Sequence, residues 1–62
     1  MGILIIVVEY RRGAQYDYKT FEGTGKDYDE VLTNMLKKAR TPGWRMVGFQ
    51  VTANTFDQGY ID

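Results

Sequence analysis

The chain has 62 residues, with eight basic and eight acidic side chains and neither cysteine nor histidine. A domain of this size buries only about 60% of the surface that its unfolded chain exposes, so small domains usually gain stability from disulfides, a metal or association. Disulfides are excluded by the missing thiols, and a structural zinc site lacks its preferred ligands. The composition therefore predicts no metal, no cofactor and a homo-dimer or higher oligomer. The zero net charge gives no strong reason to expect a nucleic acid or an anionic membrane as partner.

The longest apolar run, residues 3–8, is too short to cross a bilayer, and no basic flank or cleavage site of a signal peptide accompanies it. We therefore expect a cytoplasmic protein with no membrane partner. Repeats, linkers and low-complexity stretches are absent from the sequence. These observations predict one domain that spans residues 1–62.

The first predicted element is a strand over residues 3–11, because the segment is short and rich in β-branched residues. Both of its faces are apolar, which is typical of an inner strand. A loop around Gly13 then leads to a second strand over residues 16–22, whose mixed polarity favours an edge position.

A helix is predicted over residues 27–40. Asp27 is placed as its N-cap, with Glu30 three residues later as in a capping box. Apolar residues follow at helical spacing, acids occupy the first turn and bases the last. Pro42 stops the helix near Arg40.

A third strand is predicted over residues 44–53, and a short fourth strand in residues 54–62 stays open. Strict alternation would place one set of its side chains on one face (Arg45, Val47, Phe49, Val51) and another set on the other (Trp44, Met46, Gly48, Gln50). A right-handed crossover through the helix gives the strand order 2-1-3. The predicted fold is a small α+β domain, a ββαβ antiparallel sheet with one amphipathic helix on one face.

The sequence favours a protein that is not an enzyme. Histidine, cysteine and serine, which carry most nucleophilic and acid–base catalysis, are all absent. The acids Asp27, Asp29 and Glu30 are explained by helix capping and the helix dipole. The segment GTGK before the helix lacks the full spacing of a nucleotide-binding loop, and the acids that follow it would repel a phosphate. We therefore predict no catalytic residues.

Aromatic and basic side chains are interleaved along the predicted hairpin, and they form the candidate binding surface: Tyr10, Arg11, Arg12, Tyr16, Tyr18 and Lys19. Tyrosines on strands serve as interface anchors, which favours a small interaction protein of the inhibitor or adaptor kind that compact phage or bacterial genomes encode. The same side chains could instead form a stacking platform. The alternative function is therefore an oligomeric binder of a nucleotide or single-stranded nucleic acid.

Self-association is expected through the face of the sheet that the helix leaves uncovered. A helix of about 14 residues is roughly 21 Å long, so it can cover one face of a three-stranded sheet and not both. The predicted interface comprises one row of the first strand and two residues of the tail: Leu4, Ile6, Val8, Phe56 and Tyr60.

Residues 16–49 contain the segments YDYKTFE and GWRMVGF on either side of the helix. This pattern resembles a family of very small bacterial domains of unknown function whose members read Y-x-Y-K-V-V-E, helix, G-W-E-L-V. The chain departs from that pattern by an added apolar strand in front and by Arg45 where an acid is usual. The resemblance implies a strand, helix, strand order and no assigned functional residues.

Overall fold

The computed structural model describes residues 1–56, which form a three-stranded antiparallel sheet with one helix on one face. The elements in chain order are β1 (Gly2–Arg12), β2 (Gln15–Gly25), α1 (Tyr28–Ala39) and β3 (Arg45–Asn54). The sheet order is β2-β1-β3, so the strand with apolar side chains on both faces lies in the centre. The predicted fold class and strand order are confirmed.

Strand β2 extends three residues beyond its predicted end, because its last residues pair with the start of β1 up to Gly25 opposite Gly2. The glycines of this stretch are needed where α1 crosses it. A Cβ atom on Gly23 would lie 2.6 Å from the sulfur of Met35, and one on Gly25 would lie 2.6 Å from a methyl carbon of Val31. These glycines therefore belong to a close helix–strand contact rather than to a loop.

The helix begins and ends close to the predicted positions. The Asp27 carboxylate accepts a hydrogen bond from the backbone N–H of Glu30 at 3.1 Å, which satisfies one of the free donors of the first turn. At the other end, the hydroxyl of Tyr10 donates to the carbonyl of Ala39 at 2.6 Å. This bond attaches the last turn of α1 to the central strand. No helix within residues 1–56 is long and apolar enough to span a bilayer.

The core lies between α1 and one face of β1. The side chains at alternate positions of β1 are fully buried there, and three positions of α1 pack on them at four-residue spacing. Phe56 closes the core at one end, with its ring edge-on to that of Tyr28 at 5.9 Å. The buried set comprises Leu4, Ile6, Val8, Tyr10, Val31, Met35, Ala39 and Phe56.

The helix covers the row of β1 side chains that was predicted to lie on the uncovered face of the sheet. Leu4, Ile6 and Val8 were expected on the uncovered face, yet each is 0% exposed beneath the helix. Phe56, also expected at the interface, belongs to the core. Tyr60 and most of the segment considered for a fourth strand lie outside the described residues. The row on the uncovered face of the sheet is therefore the one that contains Ile3, Ile5 and Val7.

Strand β3 has two irregularities that change which of its side chains share a face. The register shifts between Glu9 and Tyr10 and again between Ile5 and Ile6, so Val47 and Thr52 are extra residues without a partner on β1. The prediction of strict alternation is therefore wrong. Met46 shares a face with Phe49 and Val51, and the opposite face carries Arg45, Gly48, Gln50 and Ala53.

Candidate functional site

The face of the sheet opposite α1 is covered by no other element among residues 1–56. We call it the open face. Alternation along the strands and the pairing registers place on it Ile3, Ile5, Val7, Glu9 and Arg11 of β1, Tyr16, Tyr18, Thr20, Glu22 and Thr24 of β2, and Arg45, Gly48, Gln50 and Ala53 of β3.

An aliphatic row runs along the middle of the open face. Ile3 is 39% exposed, whereas Ile5 and Val7 are half-buried by their neighbours on the outer strands. Two tyrosines on β2 continue the surface, since Tyr16 and Tyr18 are 57% and 60% exposed. The open face thus presents an apolar centre with amphipathic aromatic side chains beside it.

A shallow depression of about 340 Å³ lies in the open face between Tyr18 and β3. It forms because Gly48 stands directly opposite Glu9 and contributes no side chain, and a Cβ atom there would meet nothing within 4 Å. The hydroxyl of Tyr18 donates to the Glu9 carboxylate at 3.4 Å. This hydrogen bond restrains the Tyr18 side chain, which forms one wall of the depression. Such a depression can accept a side chain of a partner.

The six candidate binding residues do not form one surface. Tyr16, Tyr18 and Arg11 lie on the open face, with the Arg11 guanidinium 5.7 Å from the ring centre of Tyr16. The remaining three lie on the helix side: Tyr10, Arg12 and Lys19. Only three of the six predicted binding residues therefore share one surface.

On the helix side the three residues serve other contacts. Tyr10 is only 1% exposed and belongs to the core, and Lys19 places its ammonium group 5.7 Å from the Tyr10 ring. Arg12 lies over Trp44, with 4.4 Å between the guanidinium carbon and the ring centre. A single stacking surface built from all six residues is therefore not formed.

One end of the molecule gathers basic residues that are distant in sequence. The β1–β2 hairpin and the segment between α1 and β3 lie at the same end, because β1 and α1 run towards it and β2 and β3 run away from it. We call this region the basic end and define it by Arg11, Arg12, Arg40 and Arg45. Arg11 and Arg45 are direct partners across β1 and β3.

Three residues of this end, Arg40, Trp44 and Arg45, were not among the sequence-based candidates. They line a cleft of about 500 Å³ together with Thr41, Pro42 and Met46. The signal in the sequence was the basic last turn of α1 followed by the GWR segment. Only the pairing register shows that Arg45 lies beside Arg11.

Within residues 1–56 there is no group of three or more side chains that could hold a metal ion, and no buried side-chain nitrogen or oxygen lacks a hydrogen bond. Comparison with protein-family models, with curated proteins and with solved structures finds no match to this chain. The resemblance to the family of very small bacterial domains stays a prediction. The function is therefore inferred from the geometry of two regions of this chain, the open face and the basic end.

Proposed function

We propose that this protein works by binding other proteins, a second copy of itself included, through the open face. The observation that carries the proposal is the aliphatic row of Ile3, Ile5 and Val7 on the central strand, which nothing covers within residues 1–56. Complete burial of a large aliphatic side chain is worth about 1.5–3 kcal/mol relative to full exposure, and a partner would contribute the part of this that corresponds to the surface still exposed. A domain this small gains substantially when a partner covers that row.

The residues around the row support a protein as the occupant. Tyrosine and arginine are enriched at protein interfaces, where a rigid aromatic ring gives a large contact area at little entropic cost. Tyr16, Tyr18 and Arg11 provide such groups on one side of the aliphatic row. The protein would act as an inhibitor or adaptor by covering part of a partner's surface.

A nucleic acid that follows the sheet is less favoured as the occupant of the open face. Glu9 and Glu22 lie on this face, and their carboxylates would repel a phosphate backbone that crosses the strands. A protein partner can place a basic or polar group beside each of them. Charges of both signs on one surface therefore favour a protein.

Replacement of Val7 by aspartate tests the proposal, because Val7 lies between Thr20 and Gln50 in the middle of the open face. A carboxylate there would lose its hydration in any tight interface. We expect sedimentation analysis of the wild type at micromolar concentration to give twice the chain mass of 7.2 kDa. The V7D variant should sediment as a monomer.

The matched control is Thr33→Asp on the exposed side of α1, which introduces the same charge away from the open face. It should leave the dimer intact. Tyr18→Ala provides a second open-face variant if V7D fails to fold, since Tyr18 is 60% exposed and contributes little to the core. A wild type that stays monomeric, or equal dissociation by T33D and V7D, would contradict self-association through this face. A host protein retained by wild type and T33D but lost by V7D would be the heterologous partner.

A further inference from the structure

Although the chain has no net charge, most of the charges at each end of the molecule have one sign, with Asp17 at the hairpin end and Lys26 at the other end as exceptions. Four arginines form the basic end, and the last turn of α1 adds Lys37 and Lys38 to it. At the opposite end lie the acids of the first turn of α1, Asp29 and Glu30, with the capping residue Asp27. The basic end therefore attracts anions even though the whole molecule is neutral.

The pairing of Arg11 with Arg45 indicates that this end is suited to a ligand. Like charges directly opposite each other on neighbouring strands destabilise a sheet. Within residues 1–56 the guanidinium groups of Arg40 and Arg45 take part in no ion pair or hydrogen bond. Their hydrogen-bond donors are thus available, and a bound anion would relieve the repulsion between the two paired arginines.

The cleft beside these arginines adds an aromatic and apolar component. Its volume of about 500 Å³ is within the usual range of small-molecule sites, and Trp44, Pro42 and Met46 provide the apolar part of its lining. Trp44 is half-buried, and Arg12 holds its ring at a centroid distance of 4.4 Å. The chemistry that fits is an anion joined to a flat ring, because guanidinium groups bind phosphate and the apolar side of the cleft can hold a base. Arg12 covers one face of the indole ring, so the base contacts the part of Trp44 that lines the cleft.

We propose that the basic end binds a nucleotide unit, a phosphate group joined to a heteroaromatic base. Arg40 and Arg45, which line the cleft, contact the phosphate, and the base packs against the part of Trp44 that faces the cleft. The unit is either a free nucleotide or one residue of a single-stranded nucleic acid. This site is separate from the aliphatic row of the open face, so it does not depend on the protein-binding role proposed above.

The test uses the fluorescence of Trp44, which is the only tryptophan in the chain. The full-length protein is titrated with ATP, with a thymidine oligonucleotide, with inorganic pyrophosphate and with polyglutamate. We expect saturable quenching by ATP, by the oligonucleotide or by both. Binding of ATP alone, or of both ligands with similar affinity, identifies a free-nucleotide site. Much tighter binding of the oligonucleotide that weakens with salt identifies single-stranded nucleic acid.

Arg45→Gln and Arg40→Gln should each weaken this binding about tenfold, the loss expected for one charged hydrogen bond. Lys26→Gln is the matched control, since it removes one positive charge from the β2–α1 loop at the acidic end. It should leave the affinity unchanged, and circular dichroism should show the same fold for all three variants. The proposal is overturned by an absence of saturable quenching or by an equal effect of K26Q. It is also overturned if pyrophosphate or polyglutamate binds as tightly as the nucleotide ligands.

Discussion

The contact between Gly25 and Val31 predicts a strong coupling between two mutations. In a Gly25→Ala variant the new methyl group would lie 2.6 Å from a Val31 methyl carbon, well inside van der Waals contact. Valine is stiff about its first side-chain torsion, so it cannot rotate away without strain. Overpacking of this kind costs about 1–3 kcal/mol. Against an expected total stability of roughly 3–9 kcal/mol for a domain of this length, the loss is readily measured.

Removal of the obstacle should reverse the sign of the effect. In a Val31→Ala background the methyl group introduced by Gly25→Ala meets no branched side chain, so the gain of about 0.4–1 kcal/mol from a less flexible unfolded chain remains. Val31 is 6% exposed, and truncation to alanine removes two buried carbon atoms, which costs about 1.5 kcal/mol at about 0.8 kcal/mol each, with a further cost for any cavity that remains. The double mutant G25A/V31A should therefore be at least as stable as V31A.

Urea denaturation of the four proteins, followed by circular dichroism, gives the coupling energy of the cycle. We expect it to exceed about 1 kcal/mol, the lower end of the overpacking cost. Effects that add within about 0.5 kcal/mol would show that α1 does not cross β2 at Gly25. The assignment of the covered and open faces would then lose its support, since it depends on where this helix lies.

Substitutions at two further positions test how the helix is attached at its ends. Tyr10→Phe removes the hydrogen bond to the Ala39 carbonyl, to which the Thr41 hydroxyl also donates at 3.1 Å. Because the carbonyl keeps one donor, we expect urea denaturation to show a fall in the free energy of unfolding of only about 0.5–1.5 kcal/mol. A loss above about 3 kcal/mol would contradict this sharing of the acceptor. Asp27→Ala removes the cap on the Glu30 N–H and should lower the thermal midpoint by the equivalent of about 0.5–2 kcal/mol, whereas Asp27→Asn should retain most of the stability. Equal losses in both variants would show that the cap acts through its charge alone.

Much of the fold could be predicted because the local sequence signals agree with one requirement of the whole domain, that both apolar faces of β1 be covered. The capping residue Asp27 and the helix-stopping Pro42 bound α1 within one or two residues. The β-branched run of β1 predicts a strand, and its two apolar faces require the central position that it has in the sheet. These conclusions need only the sequence, since they concern the conformation of short segments and the number of faces that must be covered.

The candidate site was predicted less completely, for a reason that lies in the pairing of the strands. The interleaved aromatic and basic residues of the hairpin predict a binding surface, but only the pairing of β1 with β2 shows that Tyr16, Tyr18 and Arg11 are the ones that share the open face. The basic end was missed because Arg45 reaches Arg11 only through the pairing of β3 with β1, over a long sequence separation. The irregularities at Val47 and Thr52 also invalidate simple alternation along β3.

The sequence by itself determined the order of the elements, the position of the helix and the central place of β1, because each follows from local propensity and from the apolar pattern. Only the tertiary structure showed which row of β1 is covered, since each row contains three aliphatic residues of nearly equal size. The covered row continues to Tyr10, whereas the open row continues to Glu9 and Arg11. The helix lies on the row that contains Leu4, where the facing position on β2 is Gly23 and leaves room for Met35. Steric access for the helix and the charged side chains of Glu9 and Arg11 therefore both favour leaving Ile3, Ile5 and Val7 on the open face.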